Sequence, residues 1–230
     1  LNKTTWIIFS AVAVGILAIL IVYSGSSKIN VSSVNTSFVQ TANEQNGNIA
    51  DHVFGKEGSK VTLIEYSDYQ CPGCASAHPK IKSVIEYYKN QIQFVPRNFP
   101  LTTIHANAKS AASAAEAAGL QGKFWEMHDK IFETQSSWNT LSVADRNTLF
   151  TKYADELGLN TDQFIAAMAS TDVTKKINYD VALGKKDGVV GTPTFILNGV
   201  TLDSAVWGDD TKFKDAINAE LKKANIALPN

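Results

Sequence analysis

The sequence predicts an α/β domain interrupted by an all-α segment and preceded by one N-terminal transmembrane helix. Three observations carry this. Two strand-like runs bracket an amphipathic helix between residues 60 and 99. Residues 105–187 then show only helical periodicity, and an Asn-Gly hairpin signal at Asn198-Gly199 precedes a last amphipathic stretch.

Taken in order, Trp6–Tyr23 is an uncharged run of 18 residues, and at about 1.5 Å per helical residue it reaches roughly the hydrocarbon thickness of a bilayer. A cleaved signal peptide is the alternative, but the run exceeds a usual h-region. Lys3 before the run and Lys28 after it favour an inside N-terminus, so a single-pass anchor in the cell membrane (residues 1–23) with an exported, extracytoplasmic remainder is expected. Residues 24–50, rich in Ser, Asn, Thr and Gln without a period, read as a flexible linker. The domain is expected to fill 51–230. Lys60–Tyr66 is β-branched and apolar, as a strand covered on both faces should be. Ile81, Val84, Ile85 and Tyr88 mark a helix face, with Pro79 expected to kink the helix near its start. Gln91–Phe99 reads as a second strand. Helices follow at Ala106–Ala118, about 123–133, Ser142–Leu157, Asn160–Ala169 and Asp172–Asp187, and Ser142 with Asp145 resembles a capping box. Thr194–Leu197 and Val200–Leu202 form the hairpin, and Asp210–Ala224 the last helix.

Composition narrows function. The 230 residues are 44% apolar and 19% charged, which excludes global disorder. Lys and Arg total 21 against 22 Asp and Glu, a net charge of -1 that gives no electrostatic case for a nucleic-acid partner. Two cysteines rule out a disulfide-rich scaffold and a four-thiolate zinc site.

Those two cysteines form one motif, Cys71-Pro72-Gly73-Cys74, between the first strand and the first helix. Pro72 suits the first helical turn, where no intrahelical N–H bond is needed. Cys71 then sits where unsatisfied N–H groups and the helix dipole favour a thiolate, the physical basis of a reactive cysteine. Cys74 falls one turn on, facing inward, within reach of a short disulfide with Cys71. Haem attachment would need His where Ala75 stands. Zinc held by Cys71, Cys74 and His78 would lack an obvious fourth ligand, so redox catalysis with no bound metal is the preferred reading. Gly191-Thr192-Pro193-Thr194 adds an X-Pro bond at a strand entry, where the missing N–H must be accommodated.

A strand ending in CxxC at a helix start, followed by Thr-Pro before a hairpin, resembles the thioredoxin superfamily. The 122 positions between Cys71 and Pro193, filled with helices, make the resemblance specific to its DsbA-like thiol-disulfide oxidoreductases. LIEYSDYQCPGC, FPLTTIHANAKSAA with GKFWEMHDKIF, and VVGTPTFILNG carry it, and coverage runs from Asp51 to about Ala224. The resemblance implies a thioredoxin-like fold with an inserted helical subdomain at about 105–187, and a cis Pro193 beside the cysteines. It also implies Thr192 offering backbone hydrogen bonds to an extended substrate peptide, in contact with the Pro72-Gly73 turn. Glu65, six residues before Cys71, falls where the family often carries a buried acid; burial should raise its pKa and suit it to exchange a proton with Cys74. Gly73 stands where the strongly oxidising members carry His, which implies a less oxidising pair.

The expected activity is therefore oxidation or exchange of disulfides in exported proteins, using no cofactor beyond the Cys71–Cys74 disulfide itself. The expected partners are cysteine-containing exported proteins and a membrane redox protein that reoxidises or reduces the pair, with the enzyme a monomer. A reductase or isomerase of the same fold, and a redox-inactive binding or metal-chaperone module, are the alternatives.

Overall fold

The computed structural model describes residues 29–229. The anchor expected at Trp6–Tyr23 lies outside the described residues, and among those described no helix is long and apolar enough to cross a membrane.

Strands β1 (Phe54–Gly55), β2 (Thr62–Ser67), β3 (Gln93–Asn98), β4 (Thr194–Leu197) and β5 (Val200–Thr201) form one sheet in the order β1-β3-β2-β4-β5. The β2 and β3 strands run parallel, joined by helix α1 (Pro72–Tyr87), and every other pairing is antiparallel. All six residues of β2 and all six of β3 are buried, which explains why the stretch over β2 reads as a near-continuous apolar run, whereas β3 buries Gln93, Arg97 and Asn98 as well. Side chains still alternate between faces. Leu63 and Phe94 join a core with Ile81, Val84 and Ile85 of α1 and with Phe213, Ile217 and Leu221 of the last helix. The hairpin turn places Asn198 and Gly199 at φ 48° and 82°, the left-handed pair that a two-residue turn between twisted strands requires.

The insert comprises α2 (Ala108–Gly119), α3 (Phe124–Glu133), α4 (Gln135–Trp138), α5 (Val143–Glu156), α6 (Thr161–Met168) and α7 (Thr171–Lys186). Ser142, Asn160 and Ser170 each cap the following helix by accepting a backbone N–H, so the polar residues of the sequence do mark the starts. Alanines of α2 pack with Phe150, Phe164 and Trp138 in a second core that also holds Cys71 and Cys74. After the hairpin come the short α8 (Ser204–Trp207) and α9 (Asp210–Lys223).

The linker reading is corrected over its described part: the chain from Val31 to Ala50 belongs to the same compact unit as the domain. Arg97, fully buried on β3, donates to the carbonyls of Thr36 and Phe38 at 2.7 and 2.8 Å and to Asp51 at 2.9 Å. Lys176 on α7 donates to Asp51 and Asp180 at 2.8 and 2.7 Å, and Lys186 donates to the carbonyls of Val31, Ser32 and Val34. A 3-10 turn at Glu44–Asn46, with a capping box built by Asn43 and Asn46, sits against α7. A polar segment is ordered here by cationic side chains that donate to its carbonyls, and no apolar period announces that mode of docking.

Candidate active site

Cys71 is the N-cap of α1 and Pro72 its first residue, so the Cys71 sulfur lies at the end of the helix where the N–H groups of Gly73 and Cys74 have no intrahelical partner. The Cys74 thiol beside it, with the backbone N–H groups of Cys74 and Gly73, outweighs partial burial and brings the Cys71 thiol down to about 5. Cys74 is fully buried one turn along, receiving only the Asp68 N–H at 3.5 Å. Burial, then the neighbouring Cys71 and Glu65, push its thiol far above the usual range. The pair is thus strongly asymmetric: Cys71, 9% exposed at the helix start, favours the thiolate, and fully buried Cys74 the thiol.

The Thr192–Pro193 peptide is cis and lies against the cysteines. The Thr192 carbonyl accepts from the Cys71 thiol at 3.4 Å, and the place a Gly73 side chain would take is 3.5 Å from Pro193 Cδ and 3.6 Å from Cys71 Sγ. The Thr192 hydroxyl is buried without a hydrogen-bond partner. From Pro193 an open groove of about 400 Å³ continues past Thr194, Leu202, Asp203 and Trp207.

Glu65, 5% exposed in the middle of β2, lies beneath the pair, and burial raises its carboxyl to about 8. It is protonated at neutral pH and near enough to Cys74 for its charge to raise that thiol further. The structure therefore brings Cys71, Pro72, Gly73, Cys74, Thr192, Pro193 and Glu65 together.

The sequence model of the family described as thioredoxin matches residues 47–219, three quarters of the chain. The chain belongs to the thioredoxin family. Within that family the fold is DsbA-like. The chain superposes on Wolbachia pipientis alpha-DsbA1 with a TM-score of 0.66 at 23% identity, covering 76% of this chain and 92% of that one. A thioredoxin-like oxidoreductase from Silicibacter pomeroyi DSS-3 aligns at 28% identity with a TM-score of 0.62, covering 79% of this chain and 99% of that one. Among curated relatives, a protein named Na(+)/H(+) antiporter NhaA 3 from Salinispora tropica is 40% identical over 149 residues, 65% of this chain. The chain spans 22% of that relative's length.

Several residues around this thioredoxin-family site are not singled out by the sequence. Asp68 is buried: its carboxylate accepts the N–H groups of Gln70 and Leu101 at 2.7 and 2.8 Å and meets His105 Nδ1 at 2.8 Å. Gln135 of α4 donates to the carbonyls of Tyr69 and Cys71 at 2.7 and 3.0 Å, and the Gln70 amide bridges Asn107 N–H and the Asn139 carbonyl. The insert thereby holds the loop that carries Cys71. Nothing in a single glutamine inside a helical pattern signals this. The zinc reading with Cys71, Cys74 and His78 is not supported: among the described residues His78 converges with His128 and Asp129 instead of with the cysteines.

Proposed function

We propose that the protein is an extracytoplasmic thiol-disulfide oxidoreductase that introduces or exchanges disulfides in exported proteins. The observation that carries this is the asymmetry of the pair, a Cys71 at the N-cap of α1 held near 5 beside a fully buried, protonated Cys74. In the oxidising direction a substrate thiolate attacks Cys71 Sγ of the disulfide; a substrate–Cys71 bond forms, the Cys71–Cys74 bond breaks, and Cys74 leaves. A buried thiolate is costly, so Cys74 takes a proton, and Glu65, protonated below about 8, is the acid beside it. A second substrate thiolate then attacks the substrate sulfur, Cys71 departs as a stable thiolate, and two electrons have passed from substrate to enzyme. The groove beyond Pro193 accommodates an extended peptide, whose backbone would pair beside Thr192.

The exchange as proposed uses no cofactor beyond the Cys71–Cys74 disulfide. The apolar run Trp6–Tyr23 supports tethering to the membrane, facing a membrane redox partner that restores the disulfide. Gly73, which places no imidazole beside Cys71, favours a second reading in which the pair works as a reductase or isomerase of the same substrates. The test is turnover of reduced, unfolded ribonuclease and of insulin by the wild-type chain, Cys71→Ser and Cys74→Ser. Cys71→Ser should be inactive in both, and Cys74→Ser should accumulate mixed disulfides on non-reducing gels. Retained activity in Cys71→Ser sinks the proposal.

A further inference from the structure

Beneath the cysteine pair, between α1 and α3, lies a partly enclosed cavity of about 60 Å³ lined by Glu65, Phe94, Trp125, His78, His128 and Asp129. Thiol exchange uses Glu65 alone of these. His78 and His128 are 8% and 4% exposed, and the Nε2 atom of each is buried without a hydrogen-bond partner. Two orphaned imidazole nitrogens in one small cavity are unusual, because buried polar atoms are nearly always paired or meet an ion or water.

We propose that His78, His128 and Asp129 form a binding site for a divalent transition-metal ion of the zinc class. Their candidate ligand atoms lie within 4.8 Å of one another. His78 Nε2 is 3.4 Å from Asp129 Oδ1, out of line for a hydrogen bond. Two ligands at about 2.1 Å from one zinc ion and set at the tetrahedral angle stand about 3.4 Å apart, so this edge already has ligand spacing. His128 Nδ1 is hydrogen-bonded to the same oxygen at 3.2 Å, which holds the ring against Asp129 and leaves Nε2 as its unpartnered nitrogen. The third edge, between the two imidazoles, is no longer than 4.8 Å.

The surroundings suit the ion. Lys82 donates to Asp129 Oδ2 at 2.7 Å, fixing the carboxylate while leaving Oδ1 turned toward the histidines. The Lys82 ammonium opposes a second cation, but it also bonds Glu133 at 3.1 Å. Imidazole with carboxylate selects zinc and its neighbours over calcium or magnesium.

The site is independent of thiol exchange and can be tested without it. The probe is Zn2+ titrated calorimetrically into the untagged full chain carrying Cys71→Ser and Cys74→Ser, so that no thiolate competes; Co2+ absorption reports the ligand field. A single Zn2+ per chain is expected, with affinity reduced roughly tenfold or more by Asp129→Asn and binding lost in His78→Asn. Circular dichroism checks the fold of each variant. Should His78→Asn unfold, Asp129→Asn, altered at a half-buried position, decides. Absence of stoichiometric binding, or binding unchanged in these variants, overturns the site.

Discussion

Replacing Glu65 by Gln isolates the energetic cost of a buried carboxyl. The ordinary glutamate value of 4.5 applies to the unfolded chain, and burial raises the folded value to about 8. Below about pH 4.5 both states hold the proton, and Glu65 imposes no charge-burial cost. As pH rises toward 8 the unfolded chain releases the proton while the folded one retains it, so stability falls by about 1.4 kcal/mol per pH unit. Above pH 8 the loss levels off. Over the 3.5 units separating the two values this amounts to about 5 kcal/mol. Because Glu65 is 5% exposed, solvent screening does not erode that figure much. Gln has no proton to release, so its stability relative to wild type should climb across this window. Any penalty for a buried, unbonded amide shifts the curve vertically without tilting it. The assay is urea denaturation of both proteins at fixed pH values from 4 to 9, with the cysteines in the disulfide form so that no thiol titrates. Parallel stability curves would refute the assignment of Glu65 as a carboxyl neutral at physiological pH, and with it the proton exchange with Cys74.

Alkylation of the reduced protein by iodoacetamide should follow a single thiolate with a midpoint near pH 5, and mass mapping should find the label on Cys71 alone; a midpoint near 9 would remove the basis for its reactivity. Gly73→His should fit, since its Cβ meets Pro193 and Cys71 at ordinary contact distances of 3.5 and 3.6 Å. An imidazolium there stabilises the Cys71 thiolate, so the reduction potential in glutathione buffers should rise by tens of millivolts, where about 30 mV corresponds to about 1.4 kcal/mol; a fall or no change contradicts the role assigned to that position. Lys176→Met should cost about 3–5 kcal/mol in denaturant unfolding at pH 7, because it leaves the buried carboxylates of Asp51 and Asp180 without their shared cation. A loss under about 1 kcal/mol would mean that the buried charges do not hold the N-terminal segment to the domain.

What the sequence makes legible follows from which forces leave a local trace. The Cys71–Cys74 spacing, the strand before it and Pro72 just inside the helix are local, so the thiolate at the N-cap is readable before any tertiary contact is known. The same holds for Asn198-Gly199, whose left-handed backbone is written in its residue types. The placement of Glu65 beneath the pair was readable only through resemblance, because strand alternation says which face it shares with Leu63 but not what covers that face. Tertiary electrostatics leave no such trace. Arg97, Asp51, Lys176 and Asp180 are separated by up to 129 positions, and only their meeting in the interior turns a Ser- and Asn-rich segment from expected linker into an ordered part of the domain. His78 and His128 illustrate the same limit at the site. Each fits the buried face of its own helix, and read singly each is a core residue; the packing of α1 on α3 is what brings two unpaired nitrogens and one carboxylate into a single cavity. The chemistry of this fold is thus divided. The part that exchanges disulfides rests on one tetrapeptide and a helix start, while the part beneath it depends on which helices the insert lays against that start.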